Sequence, residues 1–376
     1  MKLTFCSAAY PPDLDGIGDY TWWLAGATAQ EMGSPVSVIT RRGKHLPQDG
    51  VQVVTPFDPS RLDSVRNLSQ AVATEKPDWI IFQYNPFSWG KRGWCPGVPR
   101  ALREVKKLNP TVRIAVMFHE TTVPRWPWRF MIMRRWQRPL FRAVCDLADV
   151  AFASSERYVS QIERIGYPGK VVHLPVGSNL AASGLSCGEA RRVLGLPTDI
   201  PFIGVFGSAH ESRLLDWIAE AFRALQSRFT KAKLLYVGPH GNAIADVLGG
   251  RENLIDLGVQ RADRAGICLS AMDLLLAPFS DGISTRRGSA IAAFQNGVPV
   301  ATTITKWTDS VFRNNPMHSL LLSDAATAGD FARQTVHWAQ FLDVPETVAS
   351  YRDEMRGFHD QTFAWRVIAR GLLGSL

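Results

Sequence analysis

Long apolar runs are missing from this sequence. None approaches the ~20 residues that a membrane-crossing helix needs, so any membrane contact is expected at the surface. Cysteine is scarce: Cys6, Cys95, Cys145, Cys187 and Cys268 are scattered, odd in number and without a Cys-x-x-Cys pair. That argues against a disulfide framework or a structural zinc site and fits a reducing compartment. The opening MKLTFCSAAYPP lacks the apolar core of a secretory leader, because Pro11 and Pro12 interrupt it. The expectation is a cytoplasmic protein, at most held at the inner face of a membrane. The eight histidines show no metal-ligand spacing, so no metal is expected. Repeats and low-complexity tracts are also lacking.

What is present is an ordinary globular balance, 46% hydrophobic and 20% charged over 376 residues. At ~100–200 residues per domain, two domains are expected. A net charge of +8 favours polyanions: nucleic acid, anionic lipid or phosphorylated small molecules. No recognised nucleic-acid motif accompanies it, which disfavours the first.

Short apolar runs alternate with helical patterns. Strands are expected at 3–7, 36–40, 51–55, 79–83, 114–118, 150–153 and 171–174, and again at 202–206, 233–237, 254–257, 274–277 and 299–302. Helices at 20–32, 98–108, 214–229, 243–248, 264–271 and 289–295 lie between them. This alternation predicts parallel sheets with crossover helices. The expected division is an N-terminal domain over 1–177, a Gly/Ser/Ala-rich linker with one short helix over 178–200, and a C-terminal domain over 201–360. The amphipathic segment 361–376 would pack back onto the first domain.

Chemistry-bearing candidates follow from position. Gly16, Ile17 and Gly18 lie between the first strand and a helix, where glycine lets backbone approach an anion; a plain tight turn is the alternative. Asp13-x-Asp15 is a metal-type spacing, or an ordinary acidic loop. His119 ends an apolar strand, where it could bond a sugar or move an acceptor's proton, or be a core histidine. The loop Ser284, Thr285, Arg286, Arg287, Gly288, Ser289 joins two cations to a helix start, which suits phosphate; a solvated arginine pair is the alternative. The acid-free stretch 121–145 interleaves arginines with aromatics. Arg125, Trp126, Trp128, Arg134, Arg135 and Trp136 could face an anionic membrane or a lipid-linked or phosphorylated acceptor. They could also form a helix with an apolar core face.

The order of these pieces resembles GT-B glycosyltransferases of family 4 (group 1). The first strand, Pro-Pro, Gly-Ile-Gly and a helix ending Glu31-Met32-Gly33 resemble that family's opening. So do 116-VMFHE-120, 173-HLPVGSN-179, Phe206-Gly207 followed by Arg213, 236-YVGPHG-241, Leu257-Gly258-Val259 and 273–303 in their turn. The resemblance implies an α/β fold of two Rossmann-like domains facing each other across a cleft. It implies a nucleoside-diphosphate-sugar donor, an unidentified acceptor, retention of configuration and no metal or other cofactor. It assigns catalysis to His119, Arg213 and Asp281. It assigns the diphosphate to Gly207, Arg213 and the 284–289 loop, and the base to Gly238, Gly258 and Val259. One departure stands out. The family's two donor-loop glutamates fall here on Ser284 and Ala292, leaving Asp281 as the only nearby carboxylate. An epimerase or hydrolase on the same fold, or a non-catalytic partner subunit that binds nucleotide sugars, is therefore a rival.

Overall fold

The computed structural model describes residues 1–13, 15–57, 66–123 and 128–376. The chain divides into two compact units, Met1–Val176 with Trp365–Leu376, and Gly177–Ala364. Each is a parallel sheet with helices on its faces.

In the first unit seven strands, β1 (Leu3–Cys6), β2 (Val36–Arg41), β3 (Val51–Phe57), β4 (Trp79–Tyr84), β5 (Arg113–Phe118), β6 (Val150–Ala153) and β7 (Lys170–His173), lie in the order β3-β2-β1-β4-β5-β6-β7. Their helices are α1 (Gly16–Met32), α2 (Arg66–Glu75), α3 (Pro86–Trp89), α4 (Gly97–Leu108), α5 (Trp128–Cys145) and α6 (Glu156–Arg164). Both faces are apolar, as a doubly covered parallel sheet requires. Ile80 and Phe82 of β4 pack toward one core with Leu102 and Phe141. Trp79 and Ile81 pack toward the other with Leu24 and Leu372.

The second unit holds α7 (Cys187–Leu194), β8 (Phe202–Phe206), α8 (Leu215–Arg228), β9 (Lys233–Val237), α9 (Gly241–Leu248), β10 (Leu254–Asp256), α10 (Ala262–Ser270), β11 (Leu274–Ala277), α11 (Gly288–Gln295), β12 (Val300–Thr303), α12 (Ser310–Arg313), β13 (Leu320–Ser323), α13 (Ala328–Trp338) and α14 (Pro345–Thr362). Its strand order is β10-β9-β8-β11-β12-β13. The last helix, α15 (Trp365–Leu373), buries Ile368, Ala369 and Leu372 in the first unit's core.

The segment read as a linker is part of the second unit. α7 opens on a capping box between Ser186 and Glu189 and closes on Gly195 in the left-handed region. Its Arg191 is buried, ion-paired with Asp273 and bonded to the Ala271 carbonyl at 3.0 Å.

In each sheet the winding reverses at one place, between β1 and β4 and between β8 and β11. Loops leaving the carboxyl ends of such strand pairs are where doubly wound sheets bind ligands.

Candidate active site

At the second unit's reversal, the loop after β8 and the loop after β11 are knitted together. Leu214 donates to the Pro278 carbonyl at 3.1 Å and Ser280 to the Ser212 carbonyl at 2.8 Å. Arg213 and Phe279 form an antiparallel bridge. This places the Arg213 guanidinium under the start of α11. Its Nη2 donates to the Phe206 carbonyl at 2.8 Å and to Ser289 Oγ at 3.3 Å. The residue is only 7% exposed, and its Nε and Nη1 are buried with no hydrogen-bond partner. Burial and then the neighbouring Arg287 push it down to about 10, so it stays charged at neutral pH. A buried cation with unsatisfied donors is costly unless a ligand supplies acceptors.

The other cations gather at the same place. Arg287 Nη1 donates to Ser212 Oγ at 2.9 Å, and its guanidinium lies 4.1 Å from the Phe279 ring centroid. Asp281 accepts from Arg287 and, at 3.1 Å, from Arg286. Burial raises the Asp281 carboxyl, but Arg287 and Arg286 outweigh it and hold it below the usual carboxylate range. Asp281 is therefore an ionised counter-ion that orients two arginines.

Gly207 leaves β8 at φ +98, a conformation that favours glycine, and its carbonyl accepts from Tyr236 Oη at 3.0 Å. Tyr236 Oη also accepts from the His240 N–H at 3.0 Å, tying this loop to the turn after β9.

Several expected ligands are occupied by the protein itself. Thr285 is fully buried and donates both its N–H and its hydroxyl to Asp309 at 2.7 Å. It anchors the loop and has neither group to offer a phosphate. The Gly288 N–H is taken by the Arg286 carbonyl at 3.1 Å. Ser284 is buried with an unpartnered hydroxyl, and Ala292 is core inside α11, so neither glutamate position offers an acid. Gly238 and Gly258 do meet, but their N–H groups bond to the Gly258 carbonyl at 2.9 Å and to Asp256 Oδ1 at 3.0 Å. Val259 beside them is exposed.

In the first unit the glycine loop is a helix cap. Asp15 accepts from the N–H groups of Ile17 at 2.9 Å and Gly18 at 2.8 Å, so its carboxylate fills the place a phosphate would need. A Cβ on Gly18 would lie 3.1 Å from the Ala9 backbone; the glycine serves a tight approach. Asp13 accepts from Arg41 Nε at 2.7 Å. The two carboxylates are thus engaged separately and do not form a metal-binding pair.

His119 sits at the end of β5, its ring edge-on to Tyr20 at 4.7 Å between centroids. Nε2–H donates to Gln83 Oε1 at 2.7 Å, which leaves Nδ1 as an acceptor. Burial pushes the imidazole down to about 3. A base that weak is a poor proton acceptor at neutral pH, so hydrogen bonding to a hydroxyl is the role this geometry fits. Two further polar residues of the first unit escaped sequence reading, of which Gln83 touches His119. Gln83 is buried with its Nε2 unpartnered; a polar residue ending the apolar run 79-WIIFQY-84 was the available signal. Asp19, in the first turn of α1, is raised to about 6 by burial and by Asp15, and no pattern marked it.

Of the acid-free stretch, Arg125 and Trp126 lie outside the described residues. Trp128 and Arg135 are exposed on α5, whereas Arg134 turns inward to Thr122 Oγ1 at 3.0 Å and the Val123 carbonyl at 2.8 Å. Trp136 Nε1 donates to the Arg92 carbonyl at 3.2 Å.

No protein-family model and no curated protein matches the sequence. Solved structures do match along the whole chain. Sucrose-phosphate synthase from Thermosynechococcus elongatus superposes with a TM-score of 0.72 at 15% identity, covering 100% of this chain and 98% of that one. Anabaena HepE, in complex with UDP and glucose, gives 0.65 at 15% identity with 100% of both chains covered. UDP-GlcNAc 2-epimerase from Neisseria meningitidis, bound to UDP-GlcNAc, gives 0.56 at 13% with 100% of both covered. At these identities the likeness is one of fold.

Proposed function

We propose that this chain, whose two doubly wound units make the GT-B fold, is a glycosyltransferase that takes its sugar from a nucleoside diphosphate. The observation that carries the reading is Arg213: a buried guanidinium with two unpartnered donors at the reversal of the second sheet, against the first turn of α11. As a glycosidic bond to a diphosphate breaks, negative charge grows on the leaving group, and fixed cations stabilise that charge directly. Arg213, Arg286 and Arg287, the latter two paired with Asp281, would supply it with no divalent ion required. Ser289 Oγ adds a polar group at the same spot. Within the first unit, His119, neutral and tautomerically fixed by Gln83, would accept a hydrogen bond from a ligand hydroxyl through Nδ1. Retention of configuration rests on the family resemblance alone.

The similarity to HepE and to sucrose-phosphate synthase supports transfer, and the epimerase likeness keeps the same donor with different chemistry as the rival. Incubation with a panel of nucleotide sugars, with and without cell-extract acceptors, separates them. Acceptor-dependent nucleotide release supports transfer. Acceptor-independent release or sugar isomerisation would support the rival. Nucleotide binding without turnover would leave a non-catalytic partner subunit.

A further inference from the structure

We infer that one face of α5, together with the short turn Lys91–Gly93 and Trp94, is a docking surface for an anionic lipid bilayer. Trp128, Met131 and Ile132 are 63%, 53% and 49% exposed. Their spacing of three and four places them on one helix face. The same face continues through Arg135, Arg138 and Arg142, all exposed. Beside it Trp94, 48% exposed, meets Trp136 edge-on at 6.4 Å. Lys91, Arg92, Trp94 and Trp136 line a shallow depression of about 520 Å³. Here indoles and cations stand together as they would around a phosphate headgroup.

The rest of α5 explains why this face is outward. Gln137 accepts from the Val123 N–H at 2.9 Å and donates to the Arg92 carbonyl at 3.3 Å, and Phe141 and Val144 enter the core. The helix is thus held by its opposite side, while large apolar groups remain in water. No acidic residue occurs between Glu120 and Asp146. Among the described residues no helix is long and apolar enough to cross a bilayer, so the contact is lateral. Each part of the surface has a use at an interface: Trp128, Met131 and Ile132 enter the acyl boundary while the arginines meet lipid phosphates. A nucleic acid would satisfy the arginines but give Met131 and Ile132 nothing to bury against.

The test is co-sedimentation of the full chain with vesicles of equimolar phosphatidylcholine and phosphatidylglycerol, and with phosphatidylcholine alone. Binding to the mixed vesicles only, weakened by salt, is expected. R135Q/R138Q should lower it about 25-fold, at about 1 kcal/mol per cation. W128S/I132S should lower it at least about tenfold through lost apolar burial. R261Q/R264Q, an equal charge change on exposed residues of the second unit, should leave it intact. Absence of binding, equal binding to both vesicles, or equal losses in the control pair would each overturn the inference. Thermal stabilisation by UDP should be the same in all these variants, so failure here is distinguishable from failure of the donor-site reading.

Discussion

Arg213 is a charge the fold holds at a loss. Two of its donors are buried without acceptors, a cost of about 1–3 kcal/mol for groups of this kind. Replacing it with methionine keeps volume and removes the unmet donors. Arg213→Met is therefore expected to raise the ligand-free melting temperature by a few degrees, measured calorimetrically; a lower one would mean the guanidinium stabilises the resting fold. His119 carries the opposite sensitivity to acid. Its folded value, about 3, lies below the ordinary 6.5, so below pH 6.5 the unfolded chain binds the extra proton. Stability should then fall by up to about 1.4 kcal/mol per pH unit between roughly pH 6 and 4. His119→Gln should remove that part of the decline in urea titrations across the same range; an unchanged slope would place the acid sensitivity elsewhere.

The elements show where sequence reading works and where it stops. Buried parallel strands such as 79-WIIFQY-84 and 274-LLLA-277 are continuous apolar runs bounded by turns, so they announce themselves. β13 escaped because Leu320–Leu322 is a brief run on an edge strand. α7 was expected as the one short helix of the 178–200 segment, but its Gly/Ser/Ala surroundings made that segment read as a linker rather than as part of the second unit. Asp15 before Gly-Ile-Gly was legible as a helix cap, and the ligand reading competed with it. The candidate residues readable in the sequence were Arg213, Arg286 and Arg287 in the second unit and His119 in the first, whose positions follow strand ends. It was not readable at Asp309, Tyr236 or Gln83. Their contacts join segments 24, 29 and 36 residues apart and depend on how strands are ordered. α7 also offers a sharp test of its role. Asp273 accepts from Arg191 and from the Phe202 N–H at 2.7 Å. Asp273→Ala leaves a buried guanidinium unpaired and should cost about 3–5 kcal/mol in denaturant unfolding; a change below about 1 kcal/mol would return 178–200 to the status of a linker.

On the scale of the whole molecule, the chain completes its first unit with its last helix. Tyr20 meets Trp365 at 5.3 Å between ring centroids, and Glu31 accepts from Arg366 at 2.9 Å and Arg370 at 2.6 Å. Ile368 and Leu372 together are worth about 3–6 kcal/mol of buried apolar surface. Ending the chain after Ala364 should therefore lower the melting of the first unit and leave the second unchanged, read by site-resolved hydrogen exchange. Equal loss of protection in both units would contradict the division.

On this reading the second unit seats a nucleoside diphosphate on Arg213. Calorimetric titration of the wild-type chain and Arg213→Met with UDP, GDP and ADP tests it most directly. Saturable binding of at least one nucleotide is expected, weakened about 10–100-fold in the variant through loss of charge-assisted hydrogen bonds. No binding of any of the three, or equal affinity in both proteins, would contradict the account.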